Sequence, residues 1–237
     1  MSHKVIAIVP SAGLGRRFGS DANKPFQILG GKPLVVWALE ALESVDAIEE
    51  IIPVLRKEDV ERGIEVFRSY NISKTKRVAA GGKERQDSVY NGLKLIGDKN
   101  CIVLIHDGVR PFIEKDLIEK VIKELLKGGK GGLKSFDGVV LGVPVKDTIK
   151  EAGSGIIRRT IKRDSLWAIQ TPQVFPYKKI SAAYKKSIKE GFYSTDDAAL
   201  MERYGGKIKV IMGSYSNIKI TTPDDLIFAE YLISKNY

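Results

Sequence analysis

Short apolar runs alternate with amphipathic segments along most of the chain. Runs such as VIAIV (5–9) and CIVLIHD (101–107) are almost entirely apolar, as expected for strands buried on both faces of a sheet. The predicted strands are 5–9, 51–55, 77–82, 101–107, 139–145 and 207–213, and the predicted helices are 33–45, 57–70, 84–96, 113–128, 177–191, 196–205 and 223–234. This order predicts an α/β fold in a single domain over residues 1–237. Its Rossmann-like, mostly parallel sheet has helices on both faces.

The alternation breaks in residues 146–175. Polar and β-branched residues alternate there around a Gly-Ser-Gly turn, which is typical of an extended hairpin. We predict a protruding β-arm inserted at about residues 147–171. An exposed hairpin that carries β-branched residues and Trp167 promotes aggregation unless another chain covers it. The arm therefore predicts a two-fold homodimer in which the two chains exchange arms.

The chain carries a formal net charge of +10, which raises the hypothesis of nucleic-acid binding. The excess of lysine and arginine is spread over predicted helix faces, such as 113–128 and 177–191, and aromatic residues make up 8% of the chain. Solvated helix faces explain this distribution better than a nucleic-acid interface does. We expect small anionic substrates and no nucleic acid. A non-catalytic, basic nucleic-acid-binding protein is kept as a remote alternative.

Hydrophobic residues make up 43% of the chain and charged residues 29%, which is ordinary for a soluble globular protein. No apolar stretch approaches the length that crosses a membrane, and VIAIV is too short for the core of a signal peptide. The single cysteine, Cys101, excludes an internal disulfide and lies in an apolar run that favours a buried, reduced thiol. We expect a cytoplasmic protein that does not bind membranes.

The first predicted strand leads into a loop rich in glycine and positive charge, VPSAGLGRRFGSDANKPF (9–26). The loop fits neither the P-loop spacing nor the dinucleotide fingerprint, which would place a third glycine at Phe18. It still lies at the carboxyl end of a strand, where open α/β sheets bind ligands and glycines expose backbone N–H groups. Arg16, Arg17 and Lys24 supply enough positive charge for a triphosphate.

This loop resembles the signature loop of the nucleotidyltransferases that activate sugars and polyols. Four further segments resemble the 2-C-methyl-D-erythritol 4-phosphate cytidylyltransferase family of the non-mevalonate isoprenoid pathway. They are GGKERQDSVYNGL (81–93), LIHDGVRPFI (104–113), VPVKDTIK (143–150) and a tail with RDSLWAIQTPQVF, STDDAALMERYGG and NIKITTPDDLIFAE. The five segments occur in the family's order over nearly the whole chain. Two positions depart from the family: Asn23-Lys24-Pro25-Phe26 replaces Pro-Lys-Gln-Phe/Tyr, and Gly108-Val109 replaces Ala-Ala/Val.

The resemblance implies that the 4-phosphate of methylerythritol phosphate attacks the α-phosphorus of CTP and expels pyrophosphate, with Mg²⁺ bridging the phosphates. It implies catalytic roles for Arg17, Lys24, Arg163 and Lys219. It implies nucleotide contacts from Ser11, Ala12, Gly13, Gly15, Gly82, Ser88 and Asp107, and substrate contacts from Asp107, Arg110, Thr148, Arg163 and Lys219. No full set of protein ligands for the metal is expected, since phosphates and water hold Mg²⁺.

The residues agree with this chemistry. A phosphate monoester has a second pKa of about 6, so it is mostly dianionic near neutral pH and needs no general base. His106 is assigned to structure, because the pattern of the buried strand 101–107 accounts for it. Asp107, at a strand end, is costly to bury unless it binds something, and a helix cap or a partner for Arg110 is the alternative role. Arg85 lies in the same segment as Gly82 and Ser88, but it can equally be a surface residue.

The closest rival function is the cytidylyltransferase acting on ribitol 5-phosphate.

Overall fold

The computed structural model describes residues 4–13, 23–128 and 136–235. The strands in these ranges are β1 (Val5–Pro10), β2 (Ile28–Leu29), β3 (Lys32–Pro33), β4 (Ile48–Leu55), β5 (Ala79–Ala80), β6 (Ile102–Ile105), β7 (Gly138–Pro144), β8 (Ile149–Gly153), β9 (Ile156–Ile161), β10 (Trp167–Pro176) and β11 (Ile208–Met212). The helices are α1 (Leu34–Glu43), α2 (Val60–Ser69), α3 (Arg85–Leu95), α4 (Lys115–Gly128), α5 (Tyr177–Glu190), α6 (Asp197–Arg203) and α7 (Pro223–Ser234). Short 3₁₀ helices at Lys24–Phe26 and Lys57–Asp59 precede β2 and α2.

The central sheet has seven strands in the order β11-β7-β10-β6-β1-β4-β5. Each neighbouring pair is parallel except those that involve β10, which runs antiparallel to both β6 and β7. The predicted mostly parallel sheet is therefore confirmed. The chain passes from β1 outward to β4 and β5 and returns on the other side of β1 as β6. This reversal opens a crevice at the carboxyl ends of these strands.

Both faces of the sheet are covered by helices, as predicted. In β1, Val5, Ala7 and Val9 face the layer formed by α1, α2 and α4, whereas Ile6 and Ile8 face α3, α5 and α6. All five residues are buried because consecutive side chains of a strand point to opposite faces. The continuous apolar runs of the sequence arise from this double burial.

Helix α7 packs against a separate, smaller cluster at the edge of the first helix layer. Ala229 of α7 is buried there with Leu29, Leu34 and Phe112. The helix begins with a capping box, in which Thr222 and Asp225 satisfy each other's backbone N–H groups. This fixed start, together with the 2.9 Å hydrogen bond from Ile220 N–H to the Val109 carbonyl, holds the segment before α7 against the end of β6.

The predicted arm contains a hairpin of β8 and β9, which form their own two-stranded sheet. Its tip exposes Ile156 and Ile157, with 71% and 61% of their surfaces accessible. β10 already begins at Trp167, which pairs with Pro144 of β7. Residues 167–171 of the predicted arm therefore belong to the central sheet. The sequence places them in the arm because the alternation of polar and apolar residues continues into the exposed start of β10. No helix in the described residues is long and apolar enough to cross a membrane.

Candidate active site

A cleft of about 740 Å³ lies at the carboxyl ends of β1, β4, β5 and β6. Each of these strands contributes the residues that follow its last position, as the topology of the sheet predicts. The lining residues are Pro10–Gly13, Lys24, Pro25, Arg56–Glu58, Gly81–Arg85, Ser88, Asp107, Val109 and Lys219. The structure therefore brings together Ser11, Ala12, Gly13, Lys24, Gly82, Ser88, Asp107 and Lys219, all of which the sequence singles out.

The loops around the cleft pack too closely for side chains at several glycines, among them Gly82 and Gly108. A Cβ on Gly108 would lie 2.1 Å from Ser11 Oγ, and one on Gly82 would lie 2.3 Å from the Cβ of Asp87. The Ser88 hydroxyl accepts the Gly82 N–H at 3.1 Å and donates to the Glu84 carbonyl at 3.1 Å. Ser88 therefore fixes the loop before α3 in addition to facing the cleft.

Asp107 is the buried carboxylate of this site, with 8% of its side chain exposed, and three cations surround it. Lys219 Nζ lies 2.8 Å from its Oδ2, Arg85 lies 3.1 Å from its Oδ1, and Arg110 Nε lies 3.9 Å from its Oδ2. Burial alone would raise the pKa of Asp107, but the charges of Arg85, Lys219 and Arg110 outweigh it and hold the pKa well below its usual value. Asp107 is therefore a stable anion that organises cations at the cleft wall.

A chain of hydrogen bonds fixes the backbone of Asp107. Its N–H donates to Thr171 Oγ1 at 3.0 Å, and Thr171 Oγ1 lies 3.1 Å from His106 Nδ1. His106 Nε2 lies 3.1 Å from the Arg110 carbonyl, which can only accept, so Nε2 carries the proton. Burial lowers the pKa of His106 to about 4, so the ring is neutral and Nδ1 accepts from Thr171. The assignment of His106 to structure fits this geometry.

Arg110 lies behind the cleft and is not one of its lining residues. The side chain is buried, and its Nη1 donates to the Asn217 carbonyl at 2.6 Å. Burial lowers the pKa of Arg110, although the neighbouring Asp107 opposes this change. Arg110 therefore links the end of β6 to the segment before α7, and it reaches the cleft only through Asp107.

Arg85 is not the surface residue that the sequence also allows. Its Nη2 lies 2.9 Å from Asp197 Oδ2 and 3.1 Å from Asp107 Oδ1, so one guanidinium bridges two buried carboxylates. Asp197, the first residue of α6, also accepts a hydrogen bond from the Tyr184 hydroxyl. Sequence reasoning missed both Asp197 and Tyr184. One signal was present: Asp196 caps α6, which leaves the adjacent Asp197 without a capping role.

Lys24 is buried at the cleft wall with 8% of its surface exposed. The preceding Asn23, which departs from the family pattern, donates to Asp59 Oδ1 at 2.5 Å, and Arg56 Nε donates to Asp59 Oδ2 at 2.5 Å. Asp59 therefore joins the segment that carries Lys24 to the loop after β4. The predicted site residues Gly15 and Arg17, and the neighbouring Arg16, lie outside the described residues.

Thr148 and Arg163 stand at the base of the arm and do not line the cleft of their own chain. Both are exposed, and Arg163 Nη1 donates to the Lys146 carbonyl. The structure therefore does not bring these two predicted substrate contacts together with Lys24 and Asp107 in one chain.

The chain is similar over its whole length to proteins of one family. The sequence model of the IspD family, described as 2-C-methyl-D-erythritol 4-phosphate cytidylyltransferase, matches residues 5–235. The protein of that name from Geotalea uraniireducens is 42% identical over 96% of this chain and 95% of its own, and that from Clostridioides difficile is 44% identical over 96% and 92%.

Solved structures agree with this similarity. The crystal structure of the 4-diphosphocytidyl-2C-methyl-D-erythritol synthase from Anaerococcus prevotii has a TM-score of 0.82 and 34% identity, and covers 98% of this chain and 97% of that chain. The 2-C-methyl-D-erythritol 4-phosphate cytidylyltransferase from Thermus thermophilus has a TM-score of 0.77 and 25% identity, over 99% and 100%. The chain belongs to the 2-C-methyl-D-erythritol 4-phosphate cytidylyltransferase family.

Proposed function

We propose that the cleft at the carboxyl ends of β1, β4, β5 and β6 is the active site for the reaction of this family. As a family member, the enzyme transfers the cytidylyl group of CTP to 2-C-methyl-D-erythritol 4-phosphate and releases pyrophosphate, a step in isoprenoid precursor synthesis. The observation that carries the location is the convergence of Lys24, Lys219 and Asp107 on one cleft.

We assign the triphosphate to the end of the cleft that Lys24 lines. Negative charge builds up on the phosphate oxygens during transfer, and a fixed cation near those oxygens stabilises the transition state. Lys24 is held in a buried position and suits this role. Arg17, assigned to the same role by resemblance, lies outside the described residues.

The nucleoside is assigned to the loops after β1 and β5. Ser11, Ala12 and Gly13 offer backbone groups on one wall, and Gly82 with Ser88 forms the other. Gly15 is included by resemblance alone. Close packing of these loops supports a rigid site for a flat base, since a Cβ on Gly81 would lie 2.3 Å from the Cβ of Ala12.

Lys219 is assigned to the attacking phosphate, and Asp107 keeps its ammonium in place. The dianionic phosphate is itself the nucleophile, so alignment and charge replace a general base. His106 supports this view, since its two ring nitrogens are occupied by Thr171 and the Arg110 carbonyl. Arg110 is assigned an indirect role through Asp107.

We also propose that Mg²⁺ takes part. In the described part of the chain, no group of three or more His, Cys, Asp or Glu side chains could enclose a metal ion. The cleft does have carboxylates at Glu58, Glu84 and Asp107, which fits an ion held mainly by phosphates and water. When bound, Mg²⁺ would neutralise charge on the phosphates.

Thr148 and Arg163 are assigned to the substrate in the cleft of a second copy. Their position at the base of an exposed hairpin, outside their own cleft, supports an arm-exchanged homodimer. The exposed Ile156 and Ile157 at the hairpin tip supply apolar surface that a partner would cover. We place the reaction in the cytoplasm, since the single cysteine, Cys101, is buried and has no second cysteine with which to form an internal disulfide.

Pyrophosphate release tests the proposed function. The purified chain is mixed with each nucleoside triphosphate and a panel of polyol phosphates, with and without Mg²⁺. We expect release with CTP, methylerythritol phosphate and Mg²⁺ together. Preference for ribitol 5-phosphate would support the rival cytidylyltransferase. Salt-dependent binding to DNA or RNA without pyrophosphate release would favour the nucleic-acid-binding alternative.

A further inference from the structure

Arg85 connects the active-site carboxylate to a second carboxylate outside the cleft. Its Nε donates to Asp107 Oδ1 at 3.1 Å, and its Nη2 donates to Asp197 Oδ2 at 2.9 Å. Asp197 is fully buried and does not line the cleft, so it cannot touch a bound substrate. A fully buried carboxylate is costly unless it is paired, and Arg85 is the cation that pairs with it.

The charges around Asp107 explain what Asp197 does. Asp107 is shared by Lys219 and Arg85, one at each carboxylate oxygen. Asp197 attracts Arg85 through its Nη2 and neutralises part of its charge. Without Asp197, the whole charge of Arg85 would act on Asp107 and compete with Lys219 for it. The second carboxylate therefore balances Arg85, so that Asp107 remains oriented towards Lys219.

The surroundings of Asp197 hold it rigidly. The Tyr184 hydroxyl donates to its Oδ1, and the Tyr184 ring is stacked on Tyr90 with centroids 6.2 Å apart. Gln173 of β10 binds the start of α6 at two points: its Oε1 accepts the Ala198 N–H at 2.9 Å, and its Nε2 donates to Asp196 at 2.7 Å. The carboxylate of Asp197 is thus fixed by the sheet and by α5.

We propose that Asp197 is a positioning residue for cytidylyl transfer, which acts through Arg85 to keep Asp107 and Lys219 aligned. The inference rests on the proposed function of the Asp107–Lys219 pair. Misplacement of a reacting group by about 1 Å can lower the rate about a hundredfold. Asp197→Asn keeps the size of the side chain and removes its charge. We expect it to lower kcat by about ten- to a hundredfold, with the KM for CTP nearly unchanged.

Glu202→Gln is the control. It also removes one carboxylate charge from α6, at an exposed position away from the Arg85–Asp197 pair and from the hydrogen bonds of Gln173. We expect wild-type kcat from this control. The unfolding free energy of both variants is measured as well, so that lost stability is separated from lost alignment.

A double-mutant cycle identifies the route of the effect. If Asp197 acts through Arg85, then adding Asp197→Asn to Arg85→Met causes no further loss of kcat. If the two losses multiply, Asp197 acts by another route and the proposal is wrong. Should the Asp197→Asn variant or the Arg85→Met variant not fold, Tyr184→Phe replaces them, because it removes one hydrogen bond to Asp197 and no charge. We expect it to lower kcat by about two- to tenfold, and an unchanged kcat contradicts the proposal.

Lys219→Ala, measured in parallel, separates this inference from the proposed function. Full activity of Lys219→Ala means that the role assigned to the Asp107–Lys219 pair is wrong. If Lys219→Ala is impaired while Asp197→Asn behaves like Glu202→Gln, only the positioning role of Asp197 is overturned.

Discussion

The Lys219 ammonium lies 2.8 Å from the Asp107 carboxylate, although the two residues come from distant parts of the chain. Asp107 follows β6, and Lys219 lies in the segment that α7 holds against the end of that strand. The pair thus couples the folding of the C-terminal segment to the geometry of the cleft. An enzyme without a general base depends on such fixed charges for its rate.

The stabilising effect of Asp107 should depend on pH in a defined direction. Burial opposes ionisation, but Arg85, Lys219 and Arg110 hold the pKa of Asp107 well below the unfolded value of about 3.9. Its stabilisation is therefore complete above the unfolded pKa and is lost as the pH falls through the folded pKa. We expect the difference in unfolding free energy between wild type and Asp107→Asn to shrink below about pH 4.

Urea denaturation at pH 7, 5, 4 and 3 measures this difference. Asp98→Asn, in an exposed loop, is the control for a general effect of removing a carboxylate. A difference that grows on acidification would show that Asp107 is destabilised by its surroundings.

His106 should titrate far below the usual range for histidine. Burial lowers its folded pKa to about 4, whereas the unfolded value is about 6.5. The unfolded chain therefore takes up the proton first, and His106 makes stability fall as the pH drops from about 6.5 to about 4. NMR of the imidazole resonances measures the pKa, and His3→Gln identifies the His106 signal. In His106→Gln, stability should depend less on pH in this window; an NMR pKa near 6.5 would contradict the buried, neutral ring.

Lys24→Ala should leave the fold intact and lower kcat by about a hundred- to a thousandfold, as expected for loss of a preorganised charge. The measurement is pyrophosphate release at saturating CTP and Mg²⁺. Lys57→Ala is the matched control, since Lys57 lines the same cleft on an exposed 3₁₀ turn and has no assigned role. Near-normal turnover of Lys24→Ala would remove Lys24 from the mechanism.

The proposed exchange of arms predicts complementation between two inactive variants. Under this proposal, Lys24→Ala damages the cleft of its own chain, and Arg163→Ala damages the cleft of its partner. A mixed dimer then has one intact site, built from Lys24 of one chain and Arg163 of the other. With random exchange about half of the dimers are mixed, so roughly a quarter of wild-type activity should return if the two sites act independently.

Exchange of subunits is verified first, with two differently tagged chains. If mixed dimers form and activity stays at the level of the single variants, Arg163 acts within its own chain. Arg159→Ala is a control within the arm, because Arg159 pairs with Glu151 on the exposed hairpin and has no assigned role in the reaction.

Local patterns in the sequence were sufficient to predict the layers of helices and strands in the fold. The apolar runs identified β1 and β6, because a strand that is buried on both faces is apolar along its whole length. Helical periodicity identified α3 and α5, because a helix that is buried along one side repeats its apolar residues every three to four positions. The direction of β10 was not predictable, since a buried apolar run has the same pattern in a parallel and in an antiparallel strand. The arm was recognised from its alternation, but its boundary with β10 was not.

The site was predictable only in part. Ser11, Gly82 and Asp107 follow strand ends, and that position already marks them as candidates. The bridge from Arg85 to Asp197 joins residues that are distant in sequence, and no spacing rule connects them. The sequence does not distinguish an arginine that binds substrate from one that is buried behind the cleft. Only the structure shows that Arg110 lies behind the cleft.

The antiparallel direction of β10 makes the arm independent of the strand pairing in the central sheet. Because β10 runs against β7, the polypeptide leaves and re-enters the sheet at the same edge, where Val145 N–H donates to the Leu166 carbonyl at 3.0 Å. The entropy of closing this excursion depends on its own length and not on the strands around it. Residues can be inserted into or deleted from the hairpin without a shift in the pairing of β7 with β10. The arm, which we propose to meet a second copy, can therefore change in length and sequence while the sheet beneath the cleft is retained.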